Sequence, residues 1–95
     1  MAVTTRIELT GRLLRKPAMR VTPAGTNTLS MDVDCGDKDE RMVLKVVRVG
    51  NEVPELVRQL KEGGRLSVVG KLRMARVGAP LEVLADSVTI ESGEA

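Results

Sequence analysis

The sequence has 95 residues, of which 42% are hydrophobic and 29% are charged, and its net charge is +2 at pH 7. This length and balance predict one globular domain over residues 1–95, with a frayed tail at residues 91–95. The chain has no His, Phe, Tyr or Trp and a single cysteine, which excludes a histidine-dependent catalytic pair, an internal disulfide, a thiolate zinc cluster and any site built on aromatic stacking.

The first half of the chain predicts three strands. Apolar and polar residues alternate from Thr5 to Leu13, which is typical of a half-buried strand, and Gly11 within this run indicates a bend or bulge. Thr22-Pro23-Ala24-Gly25 fits a β-turn, with proline at its second position. A second strand is predicted over residues 29–33 and a third over residues 42–49, where β-branched Val is frequent.

The second half predicts one helix and two further strands. An apolar stripe with helical spacing, from Val53 to Leu60, predicts a helix that begins near Asn51 and ends at Gly63-Gly64. A long strand follows from Arg65 to Arg76, with Leu66, Val68, Gly70 and Leu72 facing inward. The last strand, over residues 81–90, changes its apolar face and so implies a bulge near Ala85.

This order of elements predicts an all-β fold with one short helix. Three strands, a helix and two more strands match a five-stranded OB-fold Greek-key barrel, in which the helix lies between strands three and four. A five-stranded antiparallel sandwich of another topology also fits the alternation. It does not account for the position of the single helix, so we favour the barrel.

Several motifs then occur in a characteristic order. They are L-T-G-R-L (9–13) with R-K-P (15–17) and M-R-V-T-P-A-G-T (19–26), K-V-V-R-V-G (45–50), L-K-E-G-G-R-L-S-V-V-G-K-L-R (60–73) and E-V-L-A-D (82–86). Together they resemble the bacterial single-stranded DNA-binding protein (SSB) family and its relative, primosomal replication protein N. The resemblance covers nearly the whole chain and implies an OB-fold homo-oligomer that binds single-stranded DNA.

Two departures from the family concern its DNA contacts. Val43, Val49 and Val77 occupy positions where the family usually has Trp or Phe, and base stacking on such a ring contributes about 1–3 kcal/mol. These valines also fit packing at a sheet edge or subunit interface. The loop Asp37-Lys38-Asp39-Glu40 is acidic where the family often has a basic arm. The end of the chain soon after the barrel resembles primosomal replication protein N, whereas the helix is more similar to that of SSB.

Without aromatic rings, cations are the candidate DNA contacts. Residues 1–30 and 65–76 each have a net charge of +4, whereas residues 31–40 and 81–95 each have −4. Such segregation can form a basic surface on a nearly neutral protein. The first candidates are Lys45, Lys71, Arg73 and Arg76, and the second candidates are Arg12, Arg15 and Arg20. The alternative is that each is an ordinary solvated cation.

The remaining polar candidates predict no chemistry. Asp32 and Asp34 are two residues apart on one strand face, but they lack partner ligands, so we expect no metal site, no cofactor and no enzymatic activity. Cys35 is expected to be partly buried and unreactive. Met31 and Met42 are expected to fill the core.

Two functions remain open from the sequence. The first is binding of single-stranded DNA without sequence preference, by a homodimer or tetramer that acts in replication or replication restart. The second is a protein–protein adaptor of the replisome or primosome with little DNA affinity of its own. Either way we expect a bacterial cytoplasmic, nucleoid-associated protein without a membrane partner, since no apolar run approaches the about 20 residues of a membrane span.

Overall fold

The computed structural model describes residues 5–37, 39–74 and 76–91. Within these ranges the chain forms six strands and one helix. In chain order they are β1 (Arg6–Leu13), β2 (Ala18–Val21), β3 (Asn27–Asp34), β4 (Val43–Val49), α1 (Val53–Gln59), β5 (Arg65–Met74) and β6 (Leu81–Ile90). Of the predicted frayed tail, residues 92–95 lie outside the described residues. The amide of Glu91 donates a hydrogen bond to the carbonyl oxygen of Arg65 at 3.0 Å.

The strands form one sheet that closes on itself. Hydrogen-bonded neighbours follow the order β1-β5-β6-β4-β3-β2, and β1 also pairs with β3 through Arg12↔Asp34 and Leu13↔Val33. These pairs are antiparallel except β4 and β6, which run parallel. The closed circuit β1-β3-β4-β6-β5, with the helix between β4 and β5, confirms the predicted OB-fold barrel.

β2 is a strand that the hydrophobic pattern does not predict, because all four of its residues are exposed. The predicted turn places it: the Gly25 amide donates to the Thr22 carbonyl oxygen at 2.8 Å, and Gly25 has a positive φ of 87°. β2 pairs with the first half of β3, and β1 pairs with the last two residues of β3. Both strands therefore share one edge of β3.

The core lies inside the barrel and consists of aliphatic side chains. Its buried members are Leu13, Leu29, Met31, Val33, Val46, Val53, Leu60, Leu66, Val68, Val83 and Ala85. The predicted inward face of β5 is confirmed, since Leu66, Val68 and Gly70 are buried. Met31 is buried as predicted, but Met42 is 53% exposed, so its prediction as a core residue is wrong. Met42 lies before the first residue of β4, outside the part of the strand that packs in the core.

A bulge in β6 and a glycine in β1 shape the barrel. Val69 of β5 faces Ser87 of β6 while Gly70 faces Ala85, which leaves one additional residue in β6 and confirms the predicted bulge. The register of β1 with β5 is continuous through Gly11, so the structure shows no bulge there. A Cβ atom at Gly11 would lie 2.5 Å from the Asp34 carbonyl oxygen. Glycine is needed at this position because the backbone of β3 approaches it where the barrel closes.

The helix is shorter than predicted. α1 has seven residues and ends at Gln59, because Leu60 adopts an extended conformation while its side chain remains in the core. Hydrogen bonds then connect the following turn to β1, from the Gly63 amide to the Leu13 carbonyl oxygen at 2.7 Å and from the Leu13 amide to the Gly64 carbonyl oxygen at 2.9 Å. No helix in the described part of the chain is long and apolar enough to cross a membrane.

Candidate nucleic-acid interface

A row of four alternating charges crosses the outer face of four neighbouring strands. The strand register pairs Asp32 of β3 with Lys45 of β4, Lys45 with Glu82 of β6, and Glu82 with Arg73 of β5. Side chains directly opposite each other in paired strands have Cβ atoms about 4.5–5.5 Å apart. Each cation in this row therefore has at least one carboxylate beside it. We call these four residues the charge row.

Within the charge row, Glu82 forms a salt bridge with Arg73. Its Oε2 lies 2.8 Å from the Nε of Arg73, and Glu82 is only 9% exposed. A carboxylate removed from water needs a paired cation, because an unpaired buried charge is strongly destabilising. Arg73 is therefore the counterion of Glu82, and a phosphate that contacts Arg73 has to compete with a carboxylate already bound to it.

Asp32, at the other end of the charge row, forms an ion pair with Arg15. The Nε of Arg15 lies 3.6 Å from the Oδ2 of Asp32, and most of the Arg15 side chain is exposed. Exposed ion pairs of this kind contribute about 1 kcal/mol or less. A phosphate can therefore displace Asp32 from Arg15 more readily than it can displace Glu82 from Arg73.

Lys71 and Arg76 are the candidate cations on either side of Arg73 in the sequence. Lys71 is on the same face of β5 as Arg73, and its cross-strand neighbours are Arg6 and Leu84. Arg76 is exposed in the turn after β5, where its carbonyl oxygen accepts a hydrogen bond from the Ala79 amide at 3.0 Å. Neither side chain takes part in a salt bridge within the described residues. The first candidates from the sequence, Lys45, Lys71, Arg73 and Arg76, thus lie along one side of the barrel, and we call them the cationic patch.

The second candidates are dispersed. Arg15 reaches the charge row through Asp32. Arg12 lies at the opposite end of the barrel, because it pairs with Arg65 at the start of β5, whereas Arg73 is eight residues further along that strand. Eight residues of β-strand span about 26 Å. Arg20 is exposed on β2, on the far side of β3 from β4.

Valine side chains lie beside the cationic patch. Val43 and Val49 are exposed on the same face of β4 as Lys45. Val47, between them, is 7% exposed and has Ser30 and Leu84 as its neighbours in the ladder. Val77, in the turn after β5, is 96% exposed. These positions offer a base apolar contact without ring stacking.

The acidic loop and Cys35 lie between β3 and β4, next to the start of β4. The Oδ1 of Asp37 accepts hydrogen bonds from the amides of Asp39 at 3.0 Å and Glu40 at 2.9 Å, while Lys38 lies outside the described residues. Cys35 is partly buried, as predicted, and its Sγ donates to the Met42 carbonyl oxygen at 3.5 Å. Among the described residues, no group of three or more potential ligands could hold a metal ion.

Sequence reasoning missed the roles of Glu82 and Arg48. Alternation within the last two predicted strands does not fix their register, which places Glu82 opposite Arg73. Arg48 lies within the motif K-V-V-R-V-G (45–50), and nothing in that motif indicates its partners. Its Nη1 donates to the carbonyl oxygens of Ala85 at 3.1 Å and Asp86 at 2.9 Å, at the bulge of β6.

The same guanidinium also binds Glu52. The Nε of Arg48 donates to the Oε2 of Glu52 at 2.6 Å, and this hydrogen bond, followed by that of the Glu52 backbone, lowers the pKa of the Glu52 carboxyl. Arg48 thereby joins β4, the start of α1 and the bulge of β6. It is a structural cation, since three of its five guanidinium N–H donors bind groups of the protein.

No family model matches the chain, and no curated protein matches its sequence. The structure is similar to that of the second single-stranded DNA-binding protein (SSBb) from Mycobacterium smegmatis, with a TM-score of 0.80. The two chains share 19% sequence identity, and the match covers 94% of this chain and 90% of the mycobacterial one. At this identity the likeness establishes the fold.

Proposed function

We propose that the protein binds single-stranded DNA, without sequence preference, along the cationic patch. The observation that carries this proposal is the position of Lys71 and Arg76, which form no salt bridge among the residues that the structure describes, beside Lys45 and Arg73 on one side of an OB-fold barrel. Cations of this kind bind phosphate by ion pairing and by releasing the counterions of the strand. The proposal is supported by the fold of the mycobacterial SSBb, whose name describes it as a single-stranded DNA-binding protein.

The charge row predicts that binding is weak. Asp32 and Glu82 neutralise part of the patch, and no aromatic ring adds the stacking energy of about 1–3 kcal/mol per base. Lys71 and Arg76 then carry most of the attraction for phosphate. Val43 and Val49 supply apolar contact to bases beside Lys45.

Titration of a labelled oligo-dT, followed by fluorescence anisotropy at several salt concentrations, tests the proposal. We expect the logarithm of the association constant to fall with the logarithm of salt by about 0.7 for each phosphate neutralised. Lys71→Gln and Arg76→Gln should each reduce that slope by about one such step. Arg58→Gln is the matched control, because Arg58 is an exposed cation on α1 paired with Glu55 at 3.3 Å. Absence of binding at low salt would refute the proposed function.

We further propose that the protein acts as a homodimer or tetramer in bacterial replication or replication restart, without catalysis of its own. The edge of β1 from Arg6 to Gly11 supports this, because β3 pairs with β1 only at Arg12 and Leu13, so a second copy can add a strand to that edge. Light scattering coupled to size-exclusion chromatography measures the oligomeric state. A monomer at micromolar concentration would overturn this part.

The second candidate function is an adaptor that binds replisome or primosome proteins. It is favoured by the exposed apolar side chains at the end of the β5–β6 hairpin, Met74, Val77 and Leu81. Under this alternative, oligo-dT does not bind at low salt, while Val77→Asp abolishes co-purification of a replisome or primosome protein with the wild-type chain as bait.

A further inference from the structure

A cavity lies at the opposite end of the barrel from the cationic patch. Its volume is about 500 Å³, which is within the range of small-ligand sites. It is bounded by the end of β1, the turn after α1 and the adjoining ends of β5 and β6. Its lining includes the cations Arg12, Lys61 and Arg65 and the apolar residues Leu60, Leu66 and Ile90.

Two arginines face each other across the strands at this cavity. Arg12 of β1 and Arg65 of β5 are direct register partners, and like charges in such positions repel each other. The Oε1 of Glu91 lies 3.6 Å from the Nε of Arg65 and neutralises part of this charge. Lys61 adds a third cation to the cavity wall, so the wall has an excess of positive charge.

Arg12 itself remains without a carboxylate partner. Its other cross-strand neighbour is Asp34, but that carboxylate binds the Nε of Arg41 at 3.3 Å and the amide of Gly36 at 3.1 Å. Arg12 donates instead to the carbonyl oxygen of Gly63 at 3.2 Å, and it takes part in no salt bridge within the described residues. An anion placed between Arg12 and Arg65 would therefore relieve a repulsion that Glu91 compensates only in part.

The rest of the cavity is preformed and partly apolar. The turn that carries Gly63 and Gly64 is fixed to β1 by the two backbone hydrogen bonds with Leu13 described above. Leu60 and Leu66 belong to the buried core, and Ile90 packs against it, so the three give the cavity an apolar floor. Such a floor suits a ligand that has an apolar or ring part next to its charge.

We propose that this cavity binds a phosphate-bearing ligand of nucleotide size. The phosphate lies between the guanidinium groups of Arg12 and Arg65, whose fork geometry matches phosphate oxygens. The sugar and base lie over Leu60 and Ile90. The nucleotide comes either free or as one unit of a single strand. This site is separate from the cationic patch, because Arg65 and Arg73 lie at opposite ends of β5.

Titration with dTMP, followed through the backbone amide NMR signals of Gly63, Gly64 and Leu66, tests the proposal. We expect saturable shifts of these signals in the wild-type protein and a loss of affinity of about tenfold in Arg12→Gln and Arg65→Gln, the loss expected for a charge-assisted hydrogen bond. Lys61→Gln is a further variant, with a smaller expected loss, and the number and dispersion of the amide signals report whether each variant is folded.

Arg6→Gln is the matched control. Arg6 is also an arginine of β1 that faces a cation, Lys71, but it is paired with Glu8 at 3.1 Å and does not line the cavity. This control should bind dTMP as the wild-type protein does. Unsaturable shifts, or an equal loss in Arg6→Gln and Arg12→Gln, would show general attraction of an anion to a basic protein and would overturn the proposal.

A short oligo-dT distinguishes the two sources of the nucleotide. If the site accepts a unit of a strand, oligo-dT shifts the same three amides and Arg12→Gln weakens its binding. If the site accepts a free nucleotide, dTMP alone shifts them and Arg12→Gln leaves oligo-dT binding unchanged. Both outcomes support the cavity as a nucleotide site, whereas no saturable shift with either probe refutes it.

Discussion

Arg73 and Glu82 face each other across β5 and β6, with the Nε of Arg73 2.8 Å from the Oε2 of Glu82. Glu82 also stands beside Lys45 in the register of β4 with β6. One nearly buried carboxylate thus lies between two cations of the patch proposed to bind DNA. This arrangement stabilises the sheet and at the same time reduces the positive potential that a phosphate meets.

Removing the charge of Glu82 is expected to strengthen DNA binding. In Glu82→Gln, Arg73 loses its counterion and Lys45 loses a neighbouring carboxylate, and one unit charge at such distances changes the interaction with a phosphate by about 1 kcal/mol in water. We expect oligo-dT affinity to rise about fivefold at low salt, measured by fluorescence anisotropy. The control is Asp86→Asn, which makes the same change of charge on β6 at an exposed position. Equal gains in both variants would mean that net charge alone, and not the contact with Arg73, sets the affinity.

Loss of the Arg48 guanidinium is expected to destabilise the fold. Arg48→Met keeps the aliphatic stem but removes the hydrogen bonds to the carbonyl oxygens of Ala85 and Asp86 and to Glu52. Hydrogen bonds from charged groups contribute about 1.5–3 kcal/mol each, but only the one to Ala85 is partly buried and the other two are exposed. We therefore expect the free energy of unfolding to fall by about 2–3 kcal/mol. Urea denaturation measures it. Arg58→Met, at an exposed ion pair of α1, should change it by less than about 0.5 kcal/mol, and a similar loss in both variants would contradict a structural role for Arg48.

The Glu52 carboxyl is expected to make stability depend on pH in the acid range. Its pKa is lowered in the folded protein by the hydrogen bond from Arg48, so the ionised form favours folding. This contribution is complete above the pKa of the unfolded chain and is lost as the pH falls through the lower pKa of the folded state. Because Glu52 is half-exposed, solvent screening keeps the contribution below about 1 kcal/mol.

Urea denaturation of the wild-type protein and of Glu52→Gln as a function of pH measures this contribution. The two curves should differ near neutral pH and converge as the pH falls through the lowered pKa of the Glu52 carboxyl. In the Arg48→Met background the pH-dependent difference should be smaller, because only the hydrogen bond of the Glu52 backbone still lowers the pKa of this carboxyl. A difference between the curves that grows as the pH falls would have the wrong sign for this ion pair.

A side chain at Gly11 is expected to disrupt the pairing of β1 with β3 that closes the barrel. In Gly11→Ala the new methyl group would meet the Asp34 carbonyl oxygen at 2.5 Å and the Cγ1 of Val33 at 2.9 Å, and both belong to the paired strand β3. Overpacking of this kind costs about 1–3 kcal/mol, measurable as a lower midpoint of thermal unfolding. The neighbouring Thr10→Ala loses one exposed hydrogen bond to Ser67 and should unfold close to the wild-type temperature. An unchanged midpoint for Gly11→Ala would show that β3 does not approach β1 this closely.

The order of elements and the inward face of the strands could be predicted because both depend on local periodicity. Leu66, Val68 and Gly70 alternate with polar residues, and that alternation alone assigns them to the inside of β5. The bulge of β6 was also predictable, since an apolar pattern that changes face requires an additional residue. β2 was not predictable, because a strand whose side chains are all exposed shows no hydrophobic periodicity.

The sequence by itself determined the barrel class, the aliphatic core and the positions of the cations along each strand, because alternation and turn residues act over a few neighbours in the chain. The tertiary structure decided which charged side chains become neighbours. Lys45 meets Glu82 only because β4 and β6 run parallel in one register, and Arg12 meets Arg65 only where β1 closes against β5. Charge pairing acts over a few ångströms in space, and the register of strands that are distant in sequence sets those distances.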